Sequence, residues 1–298
     1  MKRIIVLLST VVFFSLLIIS CGNDSPKNLV NVTAKDYYFN TRDSIPTGWT
    51  TFRFINKGHA THFFFLTELP ENVNFQDYIS GVGPAFVAAW DTIKAGATKA
   101  DAGAVLGSRL PGWYAKAKYM GGAGLIAVGK TEETTVKLEP GNYVMECYVK
   151  TEEGKFHSEL GMIRPITVTD EVSEMKEPDD ADIQINLSNF NLAVKGDVSS
   201  GEHTVAVHFD EQPQIGLGND VHLVKLKNDT DLKKVMEWMD WMNINGMRTP
   251  APAEFLGGVQ EMPVGYTSYF DVNLKPGRYA WITETSADKG MVKEFTIE

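Results

Sequence analysis

Residues 141–168 read GNYVMECYVKTEEGKFHSELGMIRPITV, and their reading frames the rest of the chain. The runs NYVMECYV and IRPITV are short, rich in β-branched and aromatic residues, and preceded by the turn signal Pro140-Gly141, which is the composition of neighbouring strands. Between them Cys147 is followed, after nine intervening residues, by His157, and after four more by Met162. A strand pair therefore presents a thiol, an imidazole and a thioether on one loop.

The same pattern returns near the end of the chain. THFFFL (61–66), YMGGAG (119–124), VKLEPGNYV (136–144) and GMIRPITV (161–168) recur in order as VHLVKL (221–226), FLGGVQ (255–260), VNLKPGRYA (272–280) and GMVKEFTI (290–297). Four matches in order indicate an internal repeat of one module. The first copy has 24 more residues between its histidine and its Pro-Gly turn, and 7 more between that turn and its methionine. DEVSEMKEPDDAD (170–182) is acidic, poor in large apolar residues and interrupted by Pro178, which reads as a linker. The expected division is residues 29–169, a linker at 170–181, and residues 182–298.

Elsewhere in the first copy, NVTAKDYYF, TTFRFIN, HFFFL and TTVKL alternate with turn signals such as Pro46-Thr47-Gly48 and Asn56-Lys57-Gly58. Strands spaced in this way predict an all-β chain of two tandem β-sandwiches with short helical insertions. The clearest helix signal is Asp231 to Met242. There Leu232, Val235, Met236, Met239 and Met242 form a packing stripe behind polar capping residues.

The chain begins MKRIIVLLSTVVFFSLLIISCGND, a basic start followed by an apolar run too short to span a bilayer comfortably, as in an export signal over residues 1–20. The Ile18-Ile19-Ser20-Cys21 junction resembles the lipobox of bacterial lipoproteins, which makes Cys21 the expected lipidation site and 21–28 a tether. That resemblance implies an exported protein held by its lipid at a membrane, facing the periplasm or cell surface, with Gly22 favouring the outer membrane. The net charge of −10 and the absence of a basic cluster exclude nucleic acid as a natural partner.

With Cys21 assigned to lipid, Cys147 has no cysteine to pair with in a compartment where thiols are normally oxidised. Three roles remain for it: an inert buried thiol, a nucleophile or a metal ligand. No active-site signature surrounds Cys147, and a thioether has no role in nucleophilic catalysis. A thiolate and thioether suit Cu(I), imidazoles accept Cu(II), and a His₂Cys set with a weak Met is a copper combination. The second imidazole is expected from His62 rather than His59, because His222 repeats it in the second copy. The predicted metal ligands are thus His62, Cys147, His157 and Met162, for one copper ion in the N-terminal module.

These residues, with the strand motifs around them, resemble the cupredoxin family of blue copper proteins. The resemblance implies Greek-key sandwiches, a type 1 copper site on the loop between the last two strands, and electron transfer with a redox partner protein. The gap from Cys147 to His157 is longer than in small electron carriers, leaving an exposed TEEGK turn on which a partner could dock. The second copy lacks the set: Thr283 aligns with Cys147, and TETSADKG contains no histidine. The six histidines are fewer than the trinuclear cluster of multicopper oxidases needs, and Cys147 lacks the adjacent histidine of copper nitrite reductases. The chain is accordingly expected not to be an enzyme. The alternatives are copper storage or delivery, or a metal-free binding scaffold.

Overall fold

A computed structural model describes residues 28–213 and 217–298. The proposed export signal and the lipidation site Cys21 lie outside the described residues. In the first copy the elements are β1 (Leu29–Lys35), β2 (Tyr38–Asn40), β3 (Ser44–Asn56), β4 (Phe65–Glu68), α1 (Phe75–Lys94), α2 (Lys99–Arg109), β5 (Lys118–Tyr119), β6 (Thr131–Leu138), β7 (Gly141–Glu146) and β8 (Ile163–Val172). The second has β9 (Ile183–Ser188), β10 (Asn191–Gly196), β11 (Gly201–Phe209), β12 (Val221–Leu226), α3 (Leu232–Met239), β13 (Glu254–Val259), β14 (Thr267–Leu274), β15 (Gly277–Ile282) and β16 (Val292–Ile297). Residues 173–182 carry no regular element.

The copies match strand for strand. β1 pairs antiparallel with β2 and parallel with β3, as β9 does with β10 and β11; β4–β7–β8 and β12–β15–β16 are antiparallel in the same order. In the first copy β3 belongs to both layers: Ser44–Pro46 pairs with β8, and Gly48–Ile55 pairs with β6, the register shifting after Pro46. Proline cannot donate to a ladder, so the strand changes layer where a hydrogen bond is already lost. Phe52 and Phe54 point inward and meet Phe64 edge-to-face, with ring centroids 5.3 and 5.2 Å apart.

The copies are joined edge to edge. The equivalent strands β6 and β14 pair antiparallel, with Thr135 opposite Tyr269 and Thr134 opposite Phe270, so one sheet runs through both halves. Beside this seam the two Gly-Gly motifs lie against each other, the Gly124 N–H donating to Gly258 O at 3.0 Å. A Cβ on Gly122 (φ +137°) would lie 2.2 Å from Phe64 O, and one on Gly258 (φ +144°) 2.0 Å from Val221 O. Only glycine allows those backbones to meet, which is the physical reason that the motif repeats.

The stretch between the histidine and the Pro-Gly turn, where the first copy is 24 residues longer, contains α1 and α2. Asn74 and Asp77 form a capping box, and Tyr78, Val82, Ala85 and Ala89 make the buried stripe of α1. Gly81, Gly83 and Pro84 interrupt that stripe in the sequence and obscured it, although the capping signal was present. The expected helix near 231 is α3, with the Asp231 side chain accepting from the Lys233 N–H.

Candidate metal centre

β7 ends at Glu146, so Cys147 is the first residue beyond the strand and faces the interior with no exposure. The nine-residue gap does not leave an open loop. Lys150 pairs with Phe156, Thr151 N–H donates to Lys155 O at 2.8 Å, and His157 N–H donates to Val149 O at 2.8 Å. The added length folds back on itself as a hairpin and returns His157 to Cys147. Gly161 then closes a short 3-10 turn at φ +111°, and Met162 N–H donates to His157 O while Cys147 N–H donates to Met162 O.

His62 arrives from the segment before β4, held by paired backbone hydrogen bonds with Ile126. Its Nδ1 lies 3.9 Å from Cys147 Sγ, and His157 Nδ1 lies 3.8 Å from the same sulfur. The three donor atoms all fall within 4.8 Å of one another, and all three residues are fully buried. Met162 is also fully buried and is bound through its backbone to both Cys147 and His157. His59, the histidine passed over, is exposed and outside the group.

Several contacts suit these donors to a soft metal ion. Burial, the largest cause, pushes the Cys147 thiol up to about 12 in the absence of a metal, against the backbone N–H groups of Phe63 and Val149, which point at Sγ and favour the thiolate. Burial and neighbouring His62 hold His157 down to about 3, so its imidazole is neutral, as a ligand must be. Sequence reasoning missed Asp36, whose Oδ1 meets His62 Nε2 at 2.7 Å and turns Nδ1 toward the sulfur. Its carboxyl is held well below the usual range, chiefly by that hydrogen bond. Asp36 also binds the His59 ring and backbone N–H, a role for His59 that no local pattern signals. Tyr37 packs on the other imidazole at 4.7 Å between centroids, and His157 Nε2 is buried without a hydrogen-bond partner.

The second copy braces this loop. Lys150 is fully buried, its N–H donating to Met247 O at 2.7 Å and its Nζ to Trp241 O at 2.6 Å while lying 3.5 Å from the Trp90 ring centroid. Trp90 in turn donates to Gly154 O at 2.7 Å. The hairpin is thus clamped between α1 and the second module, leaving Glu152, Glu153 and Lys155 exposed.

In the second copy the same scaffold carries no such group among the described residues. Thr283 N–H donates to Met291 O and Met291 N–H to Ser286 O, which equates Ser286 with His157 and Thr283 with Cys147. His222 uses Nδ1 to accept from the Leu125 N–H and Nε2 to meet Asp220, so both ring nitrogens are engaged.

No protein-family model and no curated protein matches the chain. Among solved structures, a dithionite-reduced auracyanin from Roseiflexus castenholzii is 19% identical, covering 48% of this chain and 97% of its own, with a TM-score of 0.29. A multicopper oxidase is 15% identical, covering 91% and 88%, at 0.22. A copper-containing nitrite reductase from Thermus scotoductus is 12% identical, covering 91% and 61%, at 0.23. Scores this low carry no argument about reaction or ligand. The expectation that the chain is not an enzyme is nevertheless not upheld, since the multicopper oxidase and the nitrite reductase that align with nine-tenths of it are enzymes by name. On strand order, pairing and the placement of the donors, the fold is all-β and cupredoxin-like, and the buried His-Cys-His group of its first copy fits copper.

Proposed function

We propose that the chain is a lipid-anchored, exported copper protein that holds one copper ion in its first module, with His62, Cys147 and His157 as principal ligands and Met162 as a weaker one, and that it works in electron transfer. The observation that carries this reading is the convergence of one sulfur and two imidazole nitrogens within 4.8 Å in a fully buried group. Bound there, copper would supply one-electron chemistry by alternating between Cu(I) and Cu(II). The protein's part is to fix the donors. Asp36 orients His62, the Phe63 and Val149 N–H groups stabilise the thiolate, and the clamped hairpin holds His157. A rigid, dry group of this kind changes little between oxidation states, which lowers the reorganisation that an electron must wait for.

The N-terminal lipid would hold the protein at a membrane surface facing the periplasm or exterior. Among the described residues no helix is long and apolar enough to cross a membrane. The exposed Glu152, Glu153 and Lys155 turn is the place where a redox partner protein would approach the site.

The test is a Cu(II) titration of the chain from residue 22 onward, read by visible absorption and metal analysis. One equivalent of retained copper with an intense thiolate-to-copper band is expected, and Cys147→Ala should lose the band while keeping the fold. Copper affinity unchanged in Cys147→Ala would remove the assigned site.

A further inference from the structure

The connection between β4 and β5 carries two helices, α1 and α2, where the equivalent β12–β13 connection of the second copy carries only the shorter α3, and they do more than enlarge the first copy. Between α1, the faces of β4 and β7, and the Cys147–Met162 loop lies a cavity of about 840 Å³. That volume is the size of a drug-like ligand. Its walls are mainly apolar and aromatic, with Phe65, Phe86, Tyr148, Phe156 and Trp241 among them. The insertion supplies one wall, the metal-site hairpin a second and the other copy a third.

One acidic side chain reaches this space from the core. Glu146, 8% exposed, accepts from the Tyr78 hydroxyl through Oε1, and its other oxygen has no hydrogen-bond partner among the described residues. Tyr119 and Tyr114 bind each other through one O–H, which leaves the other free to donate, and Tyr148 donates to Glu284. The exposed Asp91 and Arg109 contribute to the rim. A ligand seated here meets flat aromatic faces with Glu146 as the buried acceptor, while Ser158 and the exposed Glu159, which already accepts from the Phe156 N–H, lie toward the hairpin side. Such walls favour ring stacking, and an unused carboxyl oxygen favours a donor hydroxyl over an anion.

We propose that this cavity is a binding site for a neutral aromatic compound carrying a hydroxyl group, the ring lying among Phe65, Phe86 and Tyr148 and the hydroxyl on Glu146. The site stands whether or not copper is present, because none of these contacts involves the His62, Cys147 and His157 side chains. Phe156, Ser158 and Gly161 line it, so an occupant lies against the segment that holds His157.

The experiment uses metal-free protein and 2-naphthol, followed by fluorescence and calorimetry. Gly83 lines the cavity from α1, and a Cβ built there meets nothing within 4 Å. Gly83→Trp therefore starts its side chain in open space at the cavity wall, and Trp is a better helix former than Gly. Saturable 1:1 binding is expected in the wild type and in Gly83→Ala, with a loss of at least about 10-fold in Gly83→Trp, in keeping with steric exclusion from a preformed pocket. A second filling variant, Val87→Phe, repeats the test should Gly83→Trp fail to fold as judged by near-UV circular dichroism. 2-Methoxynaphthalene, which lacks the donor, should bind about 10-fold more weakly than 2-naphthol. No saturable binding, binding indifferent to both filling variants, or binding of dodecanoate in preference to 2-naphthol overturns the proposal.

Discussion

Glu132 offers a sharp test of how the two copies are joined. It lies on β6 at the seam, 2% exposed, with Oε1 accepting from the Gly258 N–H at 2.5 Å and Oε2 buried without a partner. Burial, the largest cause, pushes its carboxyl from 4.5 up to about 8. An acid raised in this way stays protonated in the folded chain while the unfolded chain releases its proton from about pH 4.5. The folded state then binds more protons between the two values, and stability falls as pH rises through that window. The slope is about 1.4 kcal/mol per pH unit for one such group. Glu132→Gln keeps an oxygen for the Gly258 N–H and cannot ionise, so it removes this slope. Its stability relative to wild type should therefore grow by about 3 kcal/mol between pH 5 and pH 7, an order-of-magnitude figure. Any constant effect of the amide cancels from that change. Denaturant unfolding of both proteins at pH 5, 6 and 7 reads it directly. A difference that stays flat over this range, or shrinks, would refute the assignment of a neutral buried carboxyl at the seam.

Further outcomes bear on the metal site and the scaffold. Asp36→Asn should weaken copper binding by about 10- to 100-fold, measured by competition with a chelator, because the His62 ring loses the carboxylate that orients it. Met162→Leu should retain copper and shift the reduction potential in voltammetry, since the weak axial donor tunes the balance between Cu(I) and Cu(II); an unchanged potential would remove Met162 from the ligand set. Gly122→Ala should cost about 3 kcal/mol or more in denaturant unfolding, because it combines a positive φ with a Cβ 2.2 Å from Phe64 O. Gly103→Ala, in α2 with open space around the new Cβ, should instead stabilise by about 0.5–1 kcal/mol.

Much of this architecture was legible before any coordinates. The repeated His, Gly-Gly, Pro-Gly and Gly-Met motifs announced two copies of one sandwich, and the glycines among them mark backbone requirements that side-chain variation leaves intact. Gly161 and Gly290 both adopt positive φ before their methionines, at +111° and +99°, and so survive in a copy that has lost the ligand set. Cys147, His157 and Met162 could be grouped because they share one loop, and His62 because its counterpart His222 persisted. The chemistry of that set followed from residue type alone.

What the sequence could not decide depends on contacts between distant segments. Asp36 lies 26 positions before His62, in a stretch with no metal-site signature, and only the fold brings its carboxylate to the ring. Whether the long Cys147–His157 gap ruins or preserves the site also rested on tertiary structure: the hairpin closes it, and Trp90 and Lys150 clamp it against α1 and the second copy. The cavity beside that hairpin is assembled from three separated regions, so no local pattern announces it. Residue type and short-range periodicity determined the strands and the available donors, because those depend on neighbours along the chain. Burial, ring orientation and enclosure were decided by packing across it.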